Sequence, residues 1–174
     1  MKKFELTDES IIMHNGSKLY RIRALVDIPS AGVKVGDTGG FVECESNLNT
    51  DPRSTAWIHD NAMVYGNARV TGDAQVAGNA NVFGNAEISG NAWVFGKASV
   101  YDNVHVTGDA DVFGNAKVYG SAKVYGSVKV LGNAWVFGNA KVFGSATVLG
   151  NAWVFDNSCI SSGVYMRRCR GDRR

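Results

Sequence analysis

The stretch Ala134-Trp135-Val136-Phe137-Gly138-Asn139-Ala140-Lys141-Val142-Phe143-Gly144-Ser145 carries the unit that decides the fold, Ala-x-Val-x-Gly-Asn, once complete and once with Ser in the last place. Followed outward in both directions, its aliphatic position recurs every sixth residue. The series is Ile58, Val64, Val70, Val76, Val82, Ile88, Val94, Val100, Val106, Val112, Val118, Val124, Val130, Val136, Val142, Val148, Val154 and Ile160. Two places earlier stands Ala in fifteen of these eighteen units, the exceptions being Val104, Val128 and Ser158. Two places later stands Gly in fourteen, usually followed by Asn.

A period of six excludes a helix, because the aliphatic spacing does not fit 3.6 residues per turn and the repeated Gly would cost about 1 kcal/mol each time. Ala and Val two apart point to the same side of a strand, so each unit gives a short strand with both residues inward and its x residues outward. Gly tolerates φ > 0 and Asn is the next most tolerant type, so the pair turns a corner. Three strands close a triangle, and eighteen-residue coils stack at roughly 4.8 Å spacing. The sequence therefore predicts an all-β, single-stranded parallel β-helix with about six regular coils over Thr55 to Ser162. Its thin interior suits small, branched residues, each buried Val contributing about 1.5–2 kcal/mol.

Outside the repeat, Ile11-Ile12-Met13 and Leu19 to Leu25 flank His14-Asn15-Gly16-Ser17, a hairpin signal. A solenoid needs cover over its first coil, and this hairpin is the expected cap. Gly36-Asp37-Thr38-Gly39-Gly40 precedes no helical pattern and reads as a tight turn, not a phosphate loop. Val42 and Leu48 sit six apart as a degenerate first turn, after which Asn49 to Ser54 inserts four residues ahead of Ile58. The expected division is 1–41 N-terminal β cap, 42–162 β-helix and 163–174 basic tail. That tail holds Arg167, Arg168, Arg170, Arg173 and Arg174 against Asp172, which accounts for the net charge of +2. No apolar run is long enough for a membrane span, and Met1-Lys2-Lys3-Phe4-Glu5 does not lead into a signal-peptide core, so a cytoplasmic protein is expected. Three cysteines, Cys44, Cys159 and Cys169, form no metal or disulfide pattern, and no metal site is expected.

Counting in eighteens sorts the outward residues into three faces. After the inward aliphatic, the first face carries His59, Ala77, Phe95, Phe113, Leu131 and Leu149. The second carries Tyr65, Phe83, Tyr101, Tyr119, Phe137 and Phe155, every rung aromatic, with Trp135 and Trp153 on the adjoining outward row. An apolar strip rich in Tyr and Trp usually marks a contact surface, and self-association is the commonest such contact. No face of the prism is basic, so nucleic acid is not an expected partner.

The aliphatic residue, the small residue four later and the Asn between them resemble the hexapeptide repeat of the left-handed β-helix acyltransferase superfamily. The segment Val35-Gly36-Asp37-Thr38-Gly39-Gly40-Phe41-Val42 ahead of the Asn-Ala-x-Val units is also similar to uncharacterised bacterial and prophage-borne proteins of the YdcK type, which carry an acetyltransferase label. The resemblance implies a left-handed coil and a trimer, with an isologous dimer also open. For acyl transfer it implies a His base and coenzyme A between prisms. Period counting puts His105 on the third face with Glu87 one coil below and Lys123 one coil above, so that a Glu could orient the imidazole and a Lys could stabilise an oxyanion. His59, beside Trp57, is the other candidate. The superfamily's extruded loop and helical C-terminal segment have no counterpart in this sequence. The expected function is therefore a non-catalytic binding or assembly module without a cofactor, self-associating through the aromatic face or meeting another protein there. The alternative is an acyltransferase using a coenzyme A thioester.

Overall fold

A computed structural model describes residues 2–170 of the chain. It is a parallel β-solenoid of about seven turns, with almost no helix and an antiparallel hairpin at its N-terminal end. Each unit folds as expected: a strand of two to four residues, then a corner. The three faces are three sheets. The first joins strands from Trp57–Ile58 to Val164–Tyr165, the second runs from Thr38–Val42 to Cys169–Arg170, and the third from Arg69–Val70 to Cys159–Ile160. Register is i to i+18 throughout the regular part, as in Val94 beside Val112 and His105 beside Lys123.

The core is a column of Ala and Val, every one from Ala56 to Val154 at most 1 % exposed. Identical side chains stack on each other from coil to coil, so the interior needs one shape repeated and no interlocking of unlike residues. Fourteen corner glycines between Gly66 and Gly150 take positive φ, 64° to 85°. From Gly66 to Gly144 their α-hydrogens face the next corner: a Cβ on Gly114 would stand 3.0 Å from the amide nitrogen of Gly132. Asn keeps ordinary φ at these corners and does something else. Asn67, Asn85 and Asn103 form a chain of side-chain amide bonds at 3.0 and 2.9 Å, and Asn115, Asn133 and Asn151 another at 3.1 and 3.2 Å. The residue chosen for turn tolerance acts as a ladder of polar pairs along each edge.

The cap comprises β1 (Phe4–Ile12), β2 (Lys18–Ala24) and β3 (Thr38–Val42). His14-Asn15-Gly16 makes the hairpin turn, with Gly16 at φ 88°. The hairpin prolongs the second face: β1 pairs with β2, β2 with β3, and β3 runs parallel to Met63–Val64. The N-terminal end of the prism is filled from this side. Phe4 meets the edge of Trp57 at 6.4 Å between ring centres and 82°, and buried Lys3 donates to Ala56 O at 2.8 Å. Gly39 and Gly40 are therefore not turn residues. They lie in β3, where a Cβ would collide with the carbonyl oxygens of Ile58 and Ala62, so the close approach requires glycine at both positions. Arg21 fastens the cap to the first coil, donating to Gly39 O at 2.8 Å and Asp60 O at 3.0 Å while lying over the Phe41 ring.

The degenerate turn is present: Val42 pairs with Val64 and Leu48 bridges to Val70. Asn47 stitches it to the coil above, its amide donating to Gly66 O and Ala68 O at 2.9 Å each and its oxygen accepting from Glu43 N and Cys44 N. In the inserted loop, hydrogen bonds from Arg53 hold the Asp51 carboxyl down to about 2. At the other end the ladder passes Ser162: Val164–Tyr165 adds to the first face and Cys169–Arg170 to the second. The period has shortened there, with Val148 beside Tyr165, so counting in sixes reads this stretch as tail. Gly171 to Arg174 lie outside the described residues. Cys44 and Cys159 are exposed free thiols. Among the described residues no helix is long and apolar enough to cross a membrane.

Candidate functional sites

Three places on the outer surface bring chemistry-bearing side chains together. On the third face the counted constellation is real: His105 sits between Glu87 and Lys123 in the same ladder. His105 Nδ1 lies 3.3 Å from Glu87 Oε2, a contact that orients the ring. Both side chains are 47 % exposed and Lys123 is exposed as well, so water screens the group on an open sheet face. A general base in such a position has its hydrogen-bond orienter but lacks the enclosing walls that strengthen oxyanion stabilisation.

On the second face the aromatic rungs form one stack. Tyr65, Phe83, Tyr101, Tyr119, Phe137 and Phe155 follow at ring-centre distances of 5.0, 4.8, 5.1, 5.0 and 5.5 Å, with planes within 12° of parallel. Trp135 and Trp153 stack beside them at 5.3 Å and meet Tyr119 and Phe137 edge-on. Lys117 lies 4.9 Å from the Trp135 ring and Arg168 4.1 Å from Trp153, so basic side chains close the C-terminal half of the strip. Each rung from Phe83 to Phe137 spends both faces on its neighbours and turns its edge outward, the end rungs Tyr65 and Phe155 stack on one neighbour each, and all eight aromatics are half-buried. Burial pushes the phenols of Tyr65, Tyr101 and Tyr119 upward, which keeps them neutral.

The third place follows from the cap. The loop between β2 and β3 carries the short 3₁₀ turn Pro29–Ala31 over the start of the first face. Beneath Ser30 and Ala31 runs a cleft of 230 Å³ walled by His59, Asp60, Gln75 and Trp93. It continues past Gln75 and Trp93 into a second hollow of 300 Å³ bounded by Thr55, Asp73 and Asn91. Gln75 is buried and forms the floor: its Nε2 donates to Thr55 O at 2.7 Å, and its Oε1 lies 2.8 Å from His59 Nε2. Trp93 is 49 % exposed. His59 is thus a wall of this cleft. Counting alone leaves Gln75 and Trp93 as unremarkable outward residues, since nothing in their own repeats says that the cap loop lies above them.

A family model described as the YdcK β-solenoid repeat matches residues 62–78. Among curated proteins, none matches the chain.

Proposed function

We propose that this β-solenoid is a non-catalytic binding or assembly module that associates with copies of itself, as a dimer or trimer, through the second face. The observation that supports this most is the continuous stack from Tyr65 to Phe155 with Trp135 and Trp153 at its side. Of the twelve outward strand positions on this face, Lys117 is the one formal charge. A strip of ring edges offers contact area with few hydrogen bonds, which favours an apolar protein surface over a sugar or nucleotide that needs open ring faces. Its side chains are already ordered by stacking, so association costs little further side-chain entropy. A strip that runs from coil to coil in constant register can also meet a two-fold copy of itself along its length.

Truncating aromatic anchors near an interface centre often costs about 2 kcal/mol or more. Trp135→Ala with Phe137→Ala should therefore move the protein to a smaller species in light scattering at several concentrations, with an unchanged β signal in circular dichroism. A wild type that is monomeric at high micromolar concentration sinks the proposal.

The contact between Glu87 and His105 supports a second reading, acyl transfer from a coenzyme A thioester with His105 as base and Lys123 near the oxyanion. On this reading His105→Ala abolishes turnover of acyl-coenzyme A substrates while association and melting temperature stay as they are. Turnover that survives the change removes His105 from consideration.

A further inference from the structure

The donors and acceptors of the cleft under the cap loop are unevenly spent. Gln75 Nε2 gives its hydrogens to the carbonyls of Thr55 and Asp73, so the side of Gln75 that faces His59 is an acceptor and His59 Nε2 must donate to it. In the neutral ring that leaves Nδ1 as an acceptor. The Thr55 hydroxyl donates to Asp73 Oδ1 at 2.5 Å, and Asn91 Nδ2 donates to Asp109 Oδ1 at 2.9 Å, which leaves Asn91 Oδ1. Asp60 accepts Gly78 N through Oδ2 alone. Facing the cleft are thus carboxylate oxygens of Asp60 and Asp73, an amide oxygen and an imidazole nitrogen as acceptors, against the Ser30 hydroxyl, the second Asn91 Nδ2 hydrogen and the Trp93 indole N–H as donors, so the two formal charges of the lining are both negative. Among the described residues no Lys or Arg lines either hollow. Lys3, whose ammonium senses Asp73, is buried and committed to Ala56 O.

Asp60 and Asp73 stand at opposite corners of the first face, after and before its strands respectively, and the half-exposed Trp93 ring lies in the span that both hollows share. We infer that this cleft binds an organic cation rich in N–H donors, an alkylammonium or guanidinium group, with its charge against the Trp93 ring and its hydrogens on the Asp60 carboxylate, while the Asp73 carboxylate adds negative potential from the other end of the cleft. Both features ask for the same chemistry: a half-exposed indole in a partly enclosed hollow attracts a cation, and two carboxylates with no basic side chain in the lining call for a positive ligand that brings N–H donors. A neutral polyol brings no charge to answer the two carboxylates, and an anion is repelled by them.

The test is calorimetric titration of the full chain, at low salt, with 1,4-diaminobutane and with N-acetyl-argininamide, against 1,4-butanediol and inorganic phosphate. The two cations distinguish a free amine from a basic peptide side chain. Either should bind with a Kd below about 10 mM and the diol and phosphate should not. Asp60→Asn, which tolerates the positive φ of this corner, and Trp93→Ala should each weaken binding about tenfold. For a variant that fails to fold, the readout passes to the wild type, where the Trp93 indole resonance should shift on titration with the cation. Binding of the diol as tight as that of the diamine, binding unchanged in both folded variants, or no shift and no heat from either cation would overturn the assignment.

Discussion

Asp102 holds φ 65° at a corner where most coils place Gly, and its carboxylate accepts the amide of Gly120 at 3.0 Å. Asp60 does the same for Gly78 at 2.9 Å. The left-handed backbone costs a non-Gly residue about 1 kcal/mol, and a hydrogen bond to a charged acceptor offsets it. Asp102→Gly should therefore change stability by less than about 1 kcal/mol in urea denaturation, while Gly114→Val, with positive φ and the next corner's amide in its way, should cost about 2 kcal/mol or more. That Asp occupies a glycine slot is plain in the repeat. That its side chain reaches the next coil is not, because the hydrogen bond depends on stacking distance and not on residue type. Lys3 is a second residue whose setting no pattern announces. Burial lowers its ammonium from the ordinary 10.5 to about 8. Between those values the unfolded chain holds a proton that the folded chain has released, so stability should rise with pH over that window and be flat below it. The three raised tyrosines act oppositely above their ordinary 10.0, since the folded chain then keeps protons the unfolded chain loses. Measured up to about pH 9.5, wild type should gain stability and Lys3→Met should not.

An element here is a ladder of equivalent positions more than any single strand, since two residues of strand bury little by themselves. Tyr101 stacks on Phe83 below and Tyr119 above, whereas Phe155 stacks on Phe137 alone. With each stacked pair contributing about 0.5–1.5 kcal/mol, Tyr101→Ala should destabilise the fold by one pair more than Phe155→Ala, as chemical denaturation of the two variants would read. Ladders were legible in the sequence because an eighteen-residue period carries one row onto the next without reference to anything else. By the same count Glu87, His105 and Lys123 had to be neighbours, and they are. The cap is a different case. β1 and β2 follow the ordinary alternation of a hairpin, which predicts that they pair but not which face they extend. Trp57, outward by count, is 1 % exposed because Phe4 covers it. The cleft at Trp93 depends on the same unrepeated contacts, so its residues could not be singled out by any period.

At the scale of the molecule, the regular coils are joined by one geometry and one register. Removing residues 91–108 joins Gly90 to Asp109, the residue that stands one coil above Asn91, and restores every ladder. That deletion should leave a folded protein whose length in small-angle scattering is shorter by about 4.8 Å. Removing six residues, 91–96, keeps the inward pattern but rotates everything that follows by one face, so the aromatic stack is cut in two. If the stack carries association, the first variant should still associate and the second should not. The N-terminal end, closed by the hairpin, and the C-terminal end, where the period shortens, are the parts that resist such editing. Between them the chain is graduated in equal steps of one coil. Duplication or loss of eighteen codons resets the distance between its two ends by one fixed increment, so the reach of this particle is a number that copying errors can alter without having to redesign the protein.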